Sequence, residues 1–379
     1  MKILIVKTSS LGDLIHAFPV VQFLRAQVPT AEIHWIVEKP FAELVRAHPC
    51  VDQVFCVDTR KWRKRWFHRE TYQEIKQLTS QLRSHSYDLI LDLQGNIKSA
   101  LLTACARGLL KVGFGYASVP EWPNLLFTNR RFNPLKGRNI RDDYLFLAQS
   151  ALNNFDNVQG CVQLKVSDEE KCRIHQILAH PHLQEGIKIL VCAGSNWPNK
   201  QLSESSLRSL LENIHSNLSG RFLFVWGTKE EEKAAQRLFE AFPNHSLVID
   251  RLPLPTLQNL MEGVDLVMAM DSLPLHLAGT TNTPTYSVFG PSLAAKYKPV
   301  GVQHQAFQGA CPYGKLFEKR CPILRTCATG SCMKDLRGEA LFDDFLGWHK
   351  MTTDRKHVAQ NLERLSKDVD IRREVFKAL

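Results

Sequence analysis

A carboxylate, Asp13, stands where the first strand-like run of the chain gives way to a helical pattern. The apolar run 2–6 leads into the turn KTSSLGD (7–13), and an amphipathic pattern continues to residue 27. Open α/β sheets place chemistry at such strand ends, so Asp13 could accept a proton from a bound hydroxyl group. A carboxylate that only stabilises the helix dipole is the alternative. Small residues in the turn let backbone amides face a ligand: Ser9, Ser10 and Gly12.

Three further turns follow strand-like runs in the second half of the chain. Gly194, Ser195 and Lys200 suit an anionic oxygen, because amides and an ammonium stabilise phosphate charge. Glu231 could accept hydrogen bonds from ribose hydroxyls. Asp271 and Ser272 open a helix that includes His276, and such a turn is a natural diphosphate seat. Capping of the following helices, or a hydrogen-bonded core histidine for His276, are the structural alternatives.

Strand-like and helical runs alternate through both halves. Buried strands rich in Val, Ile and Leu, separated by helices, predict βαβ units and parallel sheets. The strand-like runs are 2–7, 32–37, 53–57, 88–93, 187–192, 221–226, 265–270 and 285–289, and the helical runs are 13–27, 71–84, 203–218, 229–242 and 255–263. We therefore predict an α/β protein with two Rossmann-like domains and a site in the crevice between their sheets.

The same pattern sets the predicted domain boundaries. Residues 1–160 form the first domain and 161–335 the second, with the linker around 153–167 and a Cys-rich segment at 311–332. A charged helical tail occupies 336–379.

Composition narrows the class of protein. The 379 residues suit two domains. No apolar run approaches the roughly 20 residues that cross a bilayer, the amino terminus lacks a signal-peptide pattern, and ten scattered cysteines do not resemble a secreted disulfide framework. We expect a protein of the reducing cytoplasm. A net charge of +10 favours polyanionic partners, but without a basic arm, finger spacing or aromatic RNA signature we expect no nucleic acid.

These motifs resemble those of the bacterial lipopolysaccharide heptosyltransferases, glycosyltransferase family 9, and particularly the heptosyltransferase I branch. The resemblance covers residues 1–295, with a specific match at the amino terminus and a weak one around 115–185. The matching stretches are KTSSLGDLIHAFP (7–19), RKWRKRW (60–66), DLILDLQGNIKSALL (88–102), WGTKEEE (226–232), MDSLPLHLAG (270–279) and TPTYSVFGP (283–291).

The resemblance implies the two-domain GT-B fold and an inverting transfer of L-glycero-D-manno-heptose from ADP-heptose to a Kdo sugar of the inner core, without a catalytic cofactor. Asp13 falls on the family's general base, and Lys200 on the lysine that neutralises the departing diphosphate. The donor-binding residues implied are Ser9, Ser10, Gly12, Gly194, Ser195, Glu231, Asp271, Ser272 and His276.

The resemblance also implies the acceptor side and the cellular location. The basic run 60–65, interleaved with Trp62 and Trp66, fits the Kdo carboxylates and lipid A phosphates of Kdo-lipid A. The acceptor-binding residues are Lys7, Arg60, Arg63, Lys64, Gln94 and Lys98. The expected location is the cytoplasmic face of the inner membrane, as a peripheral protein, and the tail is expected to return across the cleft to the first domain. A solvated charge run or a loose membrane tether is the alternative for residues 60–65.

Two departures from the family pattern concern the donor site. Leu273 stands where the family has Gly, which would let backbone approach the phosphates closely, although Pro274 still suits the first turn of a helix. Lys200 lacks the preceding Thr pair and the following Trp-Pro, and a Trp-Pro is displaced to 197–198.

Four cysteines, Cys311, Cys321, Cys327 and Cys332, lie within 22 residues. Thiolates suit tetrahedral zinc or iron, so we predict a structural metal there, with four unpaired thiols as the alternative. Some relatives that glycosylate autotransporter proteins are similar in carrying a cysteine-bound iron near their carboxyl end.

Other functions stay open at this point. Within the enzyme class, the rivals are a heptosyltransferase II-like, core-branching or protein-directed transferase, and RKWRKRW favours Kdo recognition over these. A non-catalytic nucleotide-sugar or polyanion-binding protein is the alternative from another class, favoured by Leu273 and the net charge.

Overall fold

Two parallel six-stranded sheets organise the computed structural model, which describes residues 1–156 and 161–352. Their strand orders are β3-β2-β1-β4-β5-β6 and β12-β11-β10-β7-β8-β9. The strands are β1 Lys2–Val6, β2 Glu32–Glu38, β3 Gln53–Val57, β4 Ser86–Asp92, β5 Arg107–Phe114, β6 Arg130–Phe132, β7 Lys188–Cys192, β8 Arg221–Phe224, β9 Ser246–Val248, β10 Leu266–Met270, β11 Thr285–Phe289 and β12 His304–Gln308. The prediction of two Rossmann-like domains with parallel sheets is confirmed.

Helices connect the strands in both domains. The first domain has α1 Leu11–His16, α2 Phe18–Gln27, α3 Ala42–Arg46, α4 Thr59–Lys64, α5 Arg69–Arg83, α6 Ile97–Cys105 and α7 Ile140–Leu152. The second has α8 Asp168–Leu178, α9 Glu204–Leu218, α10 Lys229–Ala241, α11 Leu254–Glu262, α12 Leu273–Ala278, α13 Ala294–Tyr297 and α14 Ser331–Lys334. Among the described residues, no helix has the length and hydropathy that would cross a bilayer.

The central strands are apolar because both faces of each sheet are covered. In β1, Ile3 and Ile5 face the core beneath α1, α2 and α7, whereas Leu4 and Val6 face a separate cluster beneath α5 and α6. Strand residues alternate between faces, so a strand that is buried on both sides must be apolar throughout. The buried strands hold in place the turns at their ends, where the candidate catalytic residues lie.

The two domains contact each other through a continuous core. Leu14 and Ile15 of α1 belong to the same buried cluster as Leu275 and Leu277 of α12. The linker contacts both domains. Val162 N donates to Thr280 O of the second domain (3.0 Å), and Lys165 N donates to Ala47 O of the first (2.8 Å). The domain boundary at 160/161 stays a prediction, since 157–160 lie outside the described residues.

The carboxyl-terminal tail differs from the expectation where it is described. Residues 338–352 are helical, and Phe345 and Trp348 pack around Tyr286 of β11. The Tyr286 hydroxyl donates to Leu341 O and Asp344 Oδ2, both at 3.0 Å. This part of the tail therefore packs on the second domain, because its apolar face completes that core. The return to the first domain was predicted for the whole tail, 336–379. Residues 353–379 lie outside the described residues, so for them it stays a prediction.

The single helix predicted for 13–27 is wrong, because the structure divides it at Ala17 into α1 and α2. Pro19 stands in the first turn of α2 and has no amide hydrogen to continue α1. Mixed polarity concealed β5, whose sequence RGLLKVGF is only half-buried over its first five residues.

Candidate active site

The turn after β1 holds Asp13 in a hydrogen-bonded frame. Asp13 Oδ2 accepts from Ser10 N (3.1 Å) and Ser10 Oγ (2.8 Å), and the Tyr144 hydroxyl donates to Asp13 Oδ1 (3.3 Å). Lys7 Nζ donates to the same tyrosine oxygen (2.9 Å). Lys7 is buried and supports Tyr144 and Asp13. The sequence predicts that Lys7 contacts the acceptor, but its side chain faces away from solvent in the structure.

Lys7 also sets the protonation state of Asp13. Burial alone would raise the pKa of Asp13, but the Lys7 ammonium, the Ser10 hydrogen bonds and nearby His16 together bring the pKa below its ordinary value. Burial lowers the pKa of Lys7, and Asp13 and Asp92 partly offset this. Asp13 is therefore ionised at neutral pH, which is the state that can accept a proton.

Gln94 follows β4 and fixes the loop before Asp13. Its side-chain oxygen accepts from Thr8 N (3.2 Å), Ser9 N (3.2 Å) and Thr8 Oγ1 (3.4 Å). Ser9 N and the Gln94 oxygen are thus already paired with each other in this structure. Gln94 holds the loop, and its role as an acceptor contact stays a prediction.

Asp271 is the centre of the site in the second domain. Lys200 Nζ lies 2.5 Å from Asp271 Oδ2, both side chains are buried, and Ser292 Oγ donates to the same oxygen. Burial alone would raise the pKa of Asp271, but Lys200 first and then His276 bring it below the ordinary value. The predicted phosphate-binding lysine and the predicted donor-binding aspartate are therefore joined as one buried ion pair.

Two histidines bridge the domains between these carboxylates. His16 of α1 and His276 of α12 have ring centroids 4.4 Å apart, and a Cβ built on Gly12 would lie 3.0 Å from His276 Cδ2. His276 Nε2 is 3.7 Å from Asp271 Oδ1. Burial lowers the pKa of both imidazoles, so both are neutral at neutral pH. A side chain at position 12 would therefore require the His276 ring to shift by a small distance.

The other predicted donor residues surround the Lys200 turn. Glu231 Oε2 accepts from Gly227 N (2.8 Å) and Thr228 N (3.2 Å), so it caps α10, and its carboxylate lies against Gly194. Ser195 O accepts from Gln201 Nε2 (2.8 Å). Ser272 precedes α12, which begins at Leu273 with Pro274 in its first turn, as the sequence predicts. The capping alternative for Glu231 is present, and its ribose contact stays a prediction.

The remaining predicted acceptor residues are basic and exposed, and they lie on α4 and α6. Arg60, Arg63 and Lys64 lie on α4 with exposed side chains. Lys98 Nζ of α6 reaches Thr59 Oγ1 (3.4 Å) at the start of α4.

A cavity of about 630 Å³ lies between the domains, and His16 and His276 are among the residues that line it.

The four cysteines of 311–332 line one small apolar cavity together with Asn199. Asn199 Nδ2 donates to Leu324 O and Cys327 O, both at 2.9 Å, so the segment supports the turn that carries Lys200. Burial and the other three thiols raise the pKa of Cys332 to about 11. In the described part of the chain, one group of three or more His, Cys, Asp or Glu side chains has its ligand atoms within 4.8 Å of one another. This group is Glu32, His34 and His85, and it does not include these cysteines.

Removal of the Lys7 charge should shift the pH dependence of activity. In Lys7→Met the pKa of Asp13 rises, because its largest charge-stabilising contact is lost. A base works only when deprotonated, so the acidic limb of the kcat/KM profile moves to higher pH. Lys76→Met, which removes an exposed charge from α5 of the same domain, should leave the profile in place. If the acidic limb of the kcat/KM profile does not move in Lys7→Met, the assignment of Asp13 as the catalytic base is contradicted.

Comparison with known proteins agrees with this arrangement. The family model "Glycosyltransferase family 9 (heptosyltransferase)" matches residues 75–326. Lipopolysaccharide heptosyltransferase 1 of Salmonella typhimurium is 28% identical over 293 residues, which cover 77% of this chain and 89% of the relative. The enzyme of the same description from Escherichia coli K12 is 29% identical over 295 residues, covering 77% and 88%.

Solved structures share the whole architecture. E. coli heptosyltransferase WaaC with ADP superposes with a TM-score of 0.73 at 25% identity, covering 92% of this chain and 100% of that chain. WaaC with ADP-2-deoxy-2-fluoro heptose gives 0.67 at 27% identity, covering 81% and 93%. Two facing Rossmann-like domains of this kind define a glycosyltransferase with the GT-B fold. The chain belongs to glycosyltransferase family 9 (heptosyltransferase).

Sequence reasoning missed three residues of the site. Tyr144 lies 131 positions from Asp13, in the region where the motifs are weak, and nothing around it marks it. His16 stands one helical turn after Asp13, inside the matched motif, and this spacing is the signal that could have found it. Ser292 directly follows the matched stretch 283–291.

Proposed function

We propose that this chain transfers heptose from ADP-L-glycero-D-manno-heptose to a Kdo sugar of the lipopolysaccharide inner core, with inversion. One observation carries the proposal: ionised Asp13 and the buried Lys200–Asp271 pair face each other from two domains, joined by the His16–His276 contact. The named relatives act in lipopolysaccharide heptose transfer, and the WaaC structures contain ADP and an ADP-heptose analogue.

The proposed reaction is a single displacement. The acceptor hydroxyl oxygen attacks the anomeric carbon while the bond from that carbon to the ADP β-phosphate oxygen breaks. The hydroxyl proton passes to Asp13, and Tyr144 holds that carboxylate in place. The electron pair of the broken bond leaves with ADP, whose added negative charge is neutralised by Lys200. Attack opposite the leaving group inverts the anomeric configuration.

Lys200 must serve two partners in this scheme. In the structure its ammonium is bound to Asp271 and is buried. An ammonium has three donors, so Lys200 can keep the Asp271 contact and donate to a phosphate oxygen. Asp271 then fixes the direction of the ammonium, and Ser292 supports Asp271 from the other side.

The proposed acceptor is acidic. Arg60, Arg63 and Lys64 are exposed on α4, and Lys98 lies beside the start of that helix. Guanidinium groups bind carboxylates and phosphates in two-pronged geometry, which suits the Kdo carboxylate and the lipid A phosphates. The basic segment thus favours a Kdo acceptor over heptosylated core or protein acceptors.

A screen of donors and acceptors tests the function. Purified chain is incubated with ADP-heptose or ADP-glucose and with Kdo2-lipid A, heptosylated inner core or a protein acceptor, and products are detected by mass. Mass gain of one heptose on Kdo2-lipid A alone is expected. A gain only on heptosylated core or on protein identifies the corresponding rival enzyme. ADP-heptose binding with no product on any acceptor identifies a non-catalytic binder.

We also propose that Cys311, Cys321, Cys327 and Cys332 hold one structural zinc or iron ion. They line a common small cavity, and four thiolates satisfy a tetrahedral ion. Binding would draw the sulfurs inward and fix the segment that Asn199 joins to the Lys200 turn. The ion takes no part in the transfer itself.

Metal analysis separates this proposal from four free thiols. We expect one equivalent of zinc or iron in the purified chain and near none in the double variant Cys327→Ser/Cys332→Ser, because tetrahedral sites lose most of their affinity with half of their ligands. The control Cys161→Ser/Cys172→Ser changes two other free cysteines and should keep the metal. Equal stoichiometry in all three proteins contradicts the site.

The proposed acceptor is a lipid, so the chain should work at the cytoplasmic face of the inner membrane as a peripheral protein. The net charge of +10 favours an anionic lipid surface.

A further inference from the structure

Six exposed apolar side chains of the first domain lie on elements that hydrogen bonds connect to one another. Trp66 and Phe67 are 67% and 80% exposed, and their ring centroids are 3.6 Å apart. Trp122 and Leu126 are 68% and 72% exposed in the short helix Trp122–Phe127. Ile97 and Leu101 are also exposed, one helical turn apart on α6. We call these six residues the apolar rim.

Hydrogen bonds show that the parts of the rim are neighbours. Ile97 N at the start of α6 donates to Glu121 Oε2, which directly precedes the helix 122–127 (2.8 Å). Lys98 of α6 reaches Thr59 of α4 (3.4 Å), and Trp62 Nε1 donates to Glu74 of α5 (2.7 Å). The segment with Trp66 and Phe67 joins α4 to α5. The elements that carry the rim are therefore joined to one another, which places its six side chains on adjoining parts of the first domain.

The rim lies beside the active site. Asn124 Nδ2 donates to Asp92 Oδ2 at the end of β4 (2.6 Å), and Glu121 N donates to Gly95 O (3.1 Å). The adjoining Gln94 holds the loop that leads to Asp13. The part of the rim on the helix 122–127 thus lies beside the carboxyl end of β4, at the edge of the sheet where the proposed acceptor enters.

The charge around the rim identifies its partner. Residues 59–69 contain six Arg or Lys and no Asp or Glu. Among the nearest carboxylates, Glu74 is bound to Lys61 (2.6 Å) and to Trp62, so it offsets one cation only. Aromatic and aliphatic side chains within a cationic segment match the interface of an anionic bilayer, where rings enter the headgroup region and cations meet lipid phosphates.

We propose that the apolar rim inserts into the interface of an anionic membrane and holds the mouth of the acceptor site against the bilayer. A lipid-anchored acceptor then reaches Asp13 without leaving the membrane completely. This inference rests on the proposed function for its purpose, but the insertion itself depends only on the rim and the charges around it.

Co-sedimentation with vesicles tests the insertion without any substrate. We expect the chain to bind vesicles of phosphatidylcholine with phosphatidylglycerol and cardiolipin, and to bind pure phosphatidylcholine weakly. The double variant Phe67→Ser/Leu126→Ser should lower the partition coefficient on anionic vesicles about tenfold or more, since two apolar side chains no longer leave water. Leu316→Ser, which changes a 94% exposed residue of the second domain, should bind like wild type.

A parallel assay keeps insertion and function apart. Heptose transfer to an acyl-free Kdo glycoside should be equal in wild type and in Phe67→Ser/Leu126→Ser, whereas transfer to Kdo2-lipid A in vesicles should fall with binding. Equal vesicle binding by wild type and the double variant, or an equal loss in Leu316→Ser, overturns the inference. Absence of transfer to every acceptor with intact, rim-dependent vesicle binding overturns the proposed function and leaves the membrane surface supported.

Discussion

Asp13→Asn should lower kcat for heptose transfer by about 10²–10⁴-fold, the usual contribution of a general base. The amide keeps the size of the side chain but cannot accept the hydroxyl proton. Ser10 donates to Oδ2 and Tyr144 donates to Oδ1, so the single amide oxygen of Asn keeps one of these two contacts and its NH2 group faces the other donor. The Kd for ADP-heptose should stay unchanged, because the donor is bound mainly by the second domain. Single-turnover kinetics and calorimetric binding of the donor measure the two quantities.

The matched control is another cap of the same kind. Glu170 accepts from Ser167 N (2.8 Å) and Ser167 Oγ (3.0 Å) at the start of α8, as Asp13 does from Ser10 at the start of α1. Glu170→Gln and Asp13→Asn should each lower the free energy of unfolding by about 1 kcal/mol, but only Asp13→Asn should lower kcat. If Asp13→Asn loses stability and keeps its turnover, Asp13 is a cap and not a base.

Lys200→Met should have the second large effect, on both turnover and folding. Loss of the ammonium removes the charge that stabilises the leaving ADP, which is worth about 10²–10³-fold in kcat by comparison with other electrostatic groups of active sites. It also leaves Asp271 ionised and buried without its main partner, at a cost of about 3–5 kcal/mol in the free energy of unfolding. Urea unfolding and steady-state kinetics measure the two losses.

A double variant separates these losses. In Lys200→Met/Asp271→Asn the unpaired buried charge is gone, so stability should return while turnover stays low. Lys296→Met provides the comparison, because Lys296 forms a similarly buried pair with Asp143 (2.5 Å) at the domain junction. It should destabilise the chain and retain transfer activity. Recovery of kcat in the double variant would show that Lys200 serves folding alone.

Local patterns predicted the strands inside each sheet and one edge strand, β3. β3 and β11 have the predicted limits, and six further strands differ from the prediction by one or two residues at one or both ends. The strands inside the sheets are largely buried on both faces, so their sequences are mostly apolar and easy to recognise. β5, β6, β9 and β12 were missed. They lie toward the sheet edges, where partial exposure admits polar residues such as Arg107 and Lys111.

The sequence named candidate site residues but did not show their contacts. The sequence placed Asp13, Lys200, Asp271 and His276 at turns that follow strands or begin helices. It did not indicate that Lys200 and Asp271 form one buried pair, whereas capping of α10 by Glu231 was an alternative that the sequence offered and the structure contains. A turn motif shows that a side chain is available at a strand end, whereas its partner depends on which other strand end lies beside it.

By itself the sequence determined the alternation of strands and helices, the turns that carry the carboxylates and the lysine, and the basic segment 59–69, because each depends on residues close together in the chain. Only the tertiary structure decided that Tyr144 joins Lys7 to Asp13, and that His16 meets His276 between the domains. It also decided that exposed side chains of α6, of the helix 122–127 and of the turn between α4 and α5 lie on adjoining parts of the first domain. Those contacts join residues up to 260 positions apart, and they exist because two parallel sheets bring the ends of distant strands to one cleft.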